Sequence, residues 1–453
     1  MAEEIKTGTQ IVYQPEPPPG SLKLFDLYTM GLGCVVGAGI VSLTGQALAL
    51  TGYSAWLAYV GAVLFGVVLT IPYFIIAATL RLGGGEYSTT GALLGEKYAG
   101  IFIVAKYLSP VFYASYGVSF GSYFVSLFPG ADGRIAGVAI LLIFFLINYF
   151  GIKASSMIQN IMTVILFVGL TAFIVFGFGK LSNPVFQFAN NPQMFSNGFE
   201  GFFDAIIVLS SISAGYYVLP QYGRSSANAK RDIPKAMALV VPSVIVLYAG
   251  CAIVAAGVLP LEEVAGQPLT ATARAVLPGG LFLLFIVAVI MAILTSLNSI
   301  MVGMMQVFSQ SVDNGWLPKV LGKRNKHGAP VYILTYMTLM ALIPVLLEAN
   351  VATITRFLNL TNPICLGIFT ISIFMLPKKY PEAWAKSRFH MPTSILYMLL
   401  SVSLICRLLM WINSMTKLPL SVVAPTLALQ AALIVYAIFR TRYIKEIKVS
   451  VWE

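Results

Sequence analysis

The chain has 453 residues, 58% of them hydrophobic and only 10% charged. Soluble domains carry about 25% charged residues, so most of this surface cannot face water. Glycine and proline are plentiful but follow no short period, and there are only four cysteines, which excludes collagen-like, disordered and disulfide-stapled chains.

The composition is that of a polytopic membrane protein. The net charge of +11 comes from short basic clusters between apolar runs, a pattern of membrane topology rather than of a nucleic-acid-binding face. Cys34, Cys251, Cys365 and Cys406 lie inside apolar stretches without metal-ligand spacing and read as small buried hydrophobes. The first residues are polar, acidic and proline-rich, unlike a cleavable signal peptide.

A hydrocarbon core about 30 Å thick needs roughly 20 apolar residues per helix. Apolar runs between glycine, proline and charge punctuation predict twelve spans, over 24–51, 54–80, 99–127, 134–151, 155–179, 200–222, 235–259, 279–312, 330–348, 353–376, 393–413 and 419–440. With the N-terminus inside, the inward segments gather Arg224, Lys230, Arg231 and Lys235, then Lys319, Lys323, Arg324 and Lys326, then Lys378, Lys379, Lys386 and Arg388. The outward segments hold only Arg134, Lys180, Arg274 and Lys417. That asymmetry places both termini in the cytoplasm of a cell (plasma or inner) membrane. The stretch 260–278 reads as an external surface helix with a proline on each side.

Two spans carry helix-weakening runs. Span 1 contains GLGCVVGAGIVSLTG, and span 6 contains SSISAGYYVLP over 210–220. Irregular backbone at membrane depth survives only where it lines a protein-filled or watery cavity. A half-helix starting at Gly37-Ala38-Gly39 would aim main-chain N–H groups and a positive dipole end at a carboxylate; tight packing through small residues is the alternative. Breaks in both spans, five helices apart, match two inverted five-helix repeats around a midplane site.

The chain here resembles the amino acid–polyamine–organocation transporters. Gly37-Ala38-Gly39-Ile40 is similar to their first-helix G-[SA]-G-I signature, with Phe25-Asp26 upstream. Gly84-Gly85-Glu86-Tyr87 resembles their G-G-x-Y loop, and Asn228 with Lys230-Arg231-Asp232-Ile233-Pro234 their N-P-x-R-D-I-P motif, Ala229 replacing the first proline. Asn314-Gly315-Trp316-Leu317-Pro318 and Gly328-Ala329-Pro330 are similar to motifs around spans 8 and 9. The resemblance runs from about 22 to 440.

It implies an all-α polytopic membrane protein with twelve transmembrane helices and a 5+5 inverted-repeat LeuT-type core. The expected layout is a tail over 1–21, a ten-helix core over 22–390 (repeats about 22–180 and 199–377), helices 11–12 over 391–441 and a tail over 442–453. It further implies alternating-access transport of amino acids or related amines. Main-chain groups of Val36–Ile40, that is Val36, Gly37, Ala38, Gly39 and Ile40, would hold the substrate carboxylate. Carbonyls of Cys34, Val35 and of Ser210, Ser211 and Ser213 would take the amino group, with Gly215 anchoring the alignment of the second break.

Several positions depart from the family pattern. Its aromatic gate position is Ser211 here, so a lid is missing or comes from Tyr107, Tyr116, Tyr216 or Tyr217, for each of which ordinary packing is the alternative reading. Position 217 is Tyr where the family often has Glu, and no acidic residue is expected near the midplane. An unpaired second cation is expensive there, so the expected substrate has a small neutral side chain. The position of the coupling lysine of proton-driven relatives is Leu166 here. That leaves an exchanger or facilitator without ion coupling, or a sodium site made by carbonyls of span 1 with Thr295 and Ser296; a sodium- or proton-coupled amino acid or amine symporter is the alternative function. The charges at Arg224 and Asp313 look swapped relative to the family and suggest an inward-gate ion pair, against two solvated charges. Lys106 and Arg407 are expected to snorkel, and Arg356 is a candidate gate residue. Neither a catalytic constellation, a metal cluster nor a pore-lining charged ring is visible, so no cofactor, no metal, no nucleic-acid partner and no enzymatic activity are expected. The partners are substrate and bilayer, oligomeric state is open, and a non-transporting sensor is the alternative of another class.

Overall fold

The computed structural model describes residues 9–14, 22–37, 39–128, 130–210, 212–349, 351–416, 418–444 and 447–452. The first apolar run is two helices, α1 (Leu24–Val35) and α2 (Gly39–Thr51), and a turn at Gly52 leads into α3 (Ala55–Thr79). Short helices α4 (Gly85–Leu94) and α5 (Glu96–Lys106) follow, the latter joined to α6 (Tyr113–Leu127) through a 3-10 turn. Pro110, which lacks a backbone donor, sits in that turn. Next come α7 (Gly133–Tyr149) and α8 (Ile152–Phe178). Asp132 caps α7 by accepting the Arg134 amide at 2.8 Å, and that bond holds its carboxyl below the usual range.

The second half repeats the interruption. Helix α9 (Gly198–Ser210) ends, and a 3-10 helix over Gly215–Tyr222 resumes before α10 (Ala229–Val258). Helices α11 (Leu261–Val264) and α12 (Thr270–Val276) precede α13 (Gly279–Asp313), α14 (Val331–Leu346) and α15 (Val351–Ile373). Two short turns, α16 (Leu376–Lys379) and α17 (Pro381–Ala385), connect to α18 (Thr393–Thr416) and α19 (Leu420–Thr441).

Among the described residues, eight helical stretches are long and apolar enough to cross a membrane, and four shorter apolar helices accompany them at Leu24–Val35, Gly133–Tyr149, Val331–Leu346 and Leu360–Ile373. This is a multi-pass membrane protein, mostly helical. Its exposed large side chains are apolar along α8 (Ile161, Val164, Val168, Val175) and α18 (Ile405, Leu408, Leu409, Ile412), the surface a hydrocarbon solvent demands. Inside, α8 packs along α13 and α3 along α10, while α1 lies against α8, α10 and α13.

Two expectations are corrected. The fold is not purely helical: β1 (Thr9–Gln14) pairs in parallel with β3 (Ile447–Trp452), and β3 pairs antiparallel with β2 (Arg81–Leu82). The two tails are thus stitched together beside the end of α3. Lys448 holds the sheet to α13, its N–H donating to Asn314 Oδ1 (2.9 Å) and its carbonyl accepting from Gln310 Nε2 (3.2 Å). The 260–278 stretch is two short helices rather than one, and it is docked on α2. Gly266 at φ +74 breaks it, and the Gly266 and Leu269 amides donate to the carbonyls of Gly45 (2.7 Å) and Val41 (2.9 Å) on α2.

Candidate functional site

The two helix interruptions face each other. Between α1 and α2 the chain bends at Val36 and Gly37, where the Gly37 amide turns back to the Val35 carbonyl at 2.9 Å and the Ile40 amide reaches the Gly37 carbonyl at 3.4 Å. Between α9 and the 3-10 helix, Ile212 and Ser213 close turns onto the carbonyls of Leu209 and Ser210, both at 3.2 Å. A Cβ on Gly215 would fall 2.5 Å from the Cys34 carbonyl oxygen and one on Gly39 would fall 2.4 Å from Ile212 Cγ2. Only glycine permits that approach, because real Cβ atoms do not come closer than about 3 Å to such neighbours. Ala38 and Ser211, two of the expected substrate contacts, lie outside the described residues.

Side chains from other helices lock the breaks together. Tyr248 of α10 is fully buried, and its hydroxyl reaches the Val35 carbonyl at 2.8 Å and the Ile212 carbonyl at 3.2 Å, one donor serving one carbonyl of each break. Its ring packs edge-on against Tyr59, centroids 5.1 Å apart. Sequence reasoning missed Tyr248; the signal was a lone hydroxyl in the apolar run VLYAGCAIV, which must find a partner in lipid. From α13, Thr295 and Ser296 donate to the Gly33 carbonyl at 3.2 and 2.8 Å, so both expected ion-site hydroxyls converge on α1. On α8, Gln159 and Thr163 donate to the Thr29 carbonyl at 3.3 and 3.2 Å, and Leu166 is buried.

A cavity of about 280 Å³ opens against the second break, lined by Ser210, Ala214 and Tyr217 together with Thr70, Tyr73, Asn362, Arg407 and Trp411 from α3, α15 and α18. Ser210 and Ser213 are capped inward, donating to the carbonyls of Ile207 (2.7 Å) and Leu209 (2.8 Å). Tyr216 is fully buried with its hydroxyl 3.2 Å from Thr70 Oγ1. Tyr217 packs on Tyr73 at 5.7 Å. Tyr116 packs edge-on against Phe112 and is an electrostatic neighbour of Cys34 and Tyr217. The ensemble offers main-chain amides at the start of α2, main-chain carbonyls from both breaks and an aromatic wall, groups that can satisfy a carboxylate and an ammonium at once.

Some expected residues lie elsewhere. Tyr107 is apart from this group: its hydroxyl donates to the Trp316 carbonyl at 3.1 Å and its ring lies against Phe308, because the turn ending α5 swings it toward the end of α13. Lys106 does not snorkel. It is 4% exposed, with its ammonium 5.7 Å from the Phe102 ring centre, since α5 is enclosed by α15 and α19. Arg407 does not snorkel either; it turns inward from α18 and its Nη2 donates to the Leu69 carbonyl. A carboxylate is buried in the interior after all. Glu86, 1% exposed, accepts from Tyr73 Oη (2.5 Å) and Gln221 Nε2 (3.3 Å), behind the cavity wall rather than in it. Arg224 Nη1 and Asp313 Oδ2 are 4.0 Å apart and both half-exposed. The side chain of Arg356 lies outside the described residues.

A family model described as "Amino acid permease" matches residues 22–439. The chain is 24% identical to the branched-chain amino acid permease BcaP of Bacillus subtilis (strain 168) over 80% of this chain and 82% of the relative. It is 23% identical to the methylthioribose transporter of the same organism, over 81% and 83%. To the serine/threonine exchanger SteT, again of Bacillus subtilis, it is 24% identical over 71% and 75%.

Proposed function

Because the chain belongs to the amino acid permease family, whose members are transporters and not enzymes, we propose that it moves small neutral amino acids, or closely related amino compounds, across a cell membrane by alternating access and exchange. The observation that carries this reading is the abutment of the two helix breaks, Gly215 against the Cys34 carbonyl and Gly39 against Ile212. The first turn of α2, with Gly37, Gly39 and Ile40, would take the substrate carboxylate on the helix dipole and on main-chain amides, those of Gly37 and Ile40 giving up their turn bonds to the Val35 and Gly37 carbonyls. Carbonyls of Cys34, Val35, Ser210 and Ser213 would take its ammonium, with Tyr217, Tyr116 and Tyr216 walling the side chain. Ala38 and Ser211 belong to the same set by sequence position.

The proposed architecture is twelve crossings with both termini cytoplasmic. The stretch Gly39–Thr79 supplies the second half of the first crossing and all of the second. In this reading two inverted repeats, about 22–180 and 199–377, meet at the breaks, and residues 391–441 lie outside the core. The Arg224–Asp313 pair would latch the inward side, although two half-exposed charges contribute only about 1 kcal/mol or less.

Among the described residues no carboxylate lines the cavity, so a second cationic group on the substrate would stay unpaired there. Leu166 leaves no lysine between α1, α8 and α13, which favours exchange; a relative bearing the name of an exchanger points the same way. One observation favours sodium coupling as the second reading: Thr295 and Ser296 converge on the Gly33 carbonyl, and hard oxygens suit a sodium ion. The test is competition against uptake of labelled alanine in proteoliposomes, with and without a sodium gradient. Serine, alanine or valine should compete, arginine and putrescine should not, and sodium should not change the rate. Preference for arginine, or uptake that requires sodium, contradicts the reading.

A further inference from the structure

Arg407 gives the cavity beside the second break a charge that a neutral side chain does not use. At membrane depth a guanidinium is costly unless it is paired. Its Nη2 donates to the Leu69 carbonyl, but its Nε is buried without a partner. Among the described residues no carboxylate forms an ion pair with it. Glu86 is its electrostatic neighbour, yet both Glu86 oxygens accept from Tyr73 and Gln221. The same cavity is walled by Ser210, Ala214 and Tyr217 as well as by Arg407, so Arg407 stands across open volume from the second break. That volume, about 280 Å³, compares with roughly 30 Å³ for one water and has room for a short acidic side chain.

We propose that Arg407 is a specificity-determining residue for a second carboxylate, so that the protein accepts acidic amino acids such as glutamate alongside neutral ones, the side-chain carboxylate pairing with the guanidinium. The inference rests on the proposed function, because it assumes that the backbone of the substrate sits at the breaks. A planar guanidinium presents parallel donors that match a carboxylate, and an anion entering the cavity gives Arg407 a charge partner without moving Glu86 from its partners.

Full-length protein in proteoliposomes tests this with labelled alanine and labelled glutamate, together with the fluorescence of Trp411, which lines the cavity. Glutamate should exchange and should shift a fluorescence signal that Trp411→Phe removes. Losing one partner of a buried charge pair weakens binding by roughly 30-fold or more, so in Arg407→Gln the glutamate-to-alanine ratio should fall by about that factor. Arg407→Lys, which keeps the charge but not the fork, should fall between. A wild type that exchanges alanine but neither binds nor exchanges glutamate overturns this inference and leaves the proposed function standing. An unchanged ratio in Arg407→Gln overturns it too, and assigns Arg407 to supporting Glu86. If neither amino acid is exchanged but glutamate still shifts Trp411 fluorescence in an Arg407-dependent way, the anion site is supported and the transport reading fails.

Discussion

Single atoms decide whether the two breaks can meet. Gly215→Ala places a methyl 2.5 Å from the Cys34 oxygen and 2.7 Å from its carbonyl carbon, and backbone cannot yield as a flexible side chain can. We expect a loss of about 1–3 kcal/mol in stability and loss of uptake, read by thermal unfolding and by transport. Gly279→Ala, whose Cβ meets nothing within 4 Å, should change neither. Tyr248→Phe removes a hydroxyl that reaches both the Val35 and Ile212 carbonyls. Leaving a buried acceptor unpaired costs about 1–3 kcal/mol, so this variant should express but melt earlier and transport more slowly. Residue-scale geometry was the part least legible in sequence. Depth along a span showed that Lys106 and Arg407 sat in apolar helices, but not that each turns its side chain inward. Which face a helix buries depends on neighbours that local sequence does not name: α15 and α19 for α5, and α3 and α15 for α18.

At the scale of elements, the breaks were readable because glycine and serine weaken a helix wherever they cluster. The runs GLGCVVGAG and SSISAG mark the ends of α1 and α9 to within a few residues. The strands were not readable. β1 and β3 are only six residues each, and a lone strand of that length has no stability without its partner. The partner lies at the other end of the chain, so no local periodicity announces the pairing. Truncation after residue 446 would remove β3, unpairing β1 and β2 and removing the partners of Gln310 Nε2 on α13 and of Asn314 Oδ1 just beyond it. Two side-chain hydrogen bonds contribute about 1 kcal/mol each, so the truncated protein should be less stable by at least about 2 kcal/mol. A thermal unfolding curve indistinguishable from that of the full chain would show that the clasp contributes nothing.

For the molecule as a whole, composition and charge clustering established a multi-pass membrane protein, and the family match over residues 22–439 places it among the transporters. In the proposed reading, substrate and coupling depend on very few groups: a cavity wall without a carboxylate among the described residues, Leu166 on α8, and the hydroxyls of Thr295 and Ser296. The central claim is exchange of a neutral amino acid through the paired breaks, and counterflow tests it most directly. Proteoliposomes loaded with unlabelled alanine should accumulate labelled alanine faster than empty ones, without any sodium or proton gradient, and Gly215→Ala should abolish the difference. Equal uptake by loaded and empty vesicles, or accumulation that appears only with an imposed ion gradient, would contradict it.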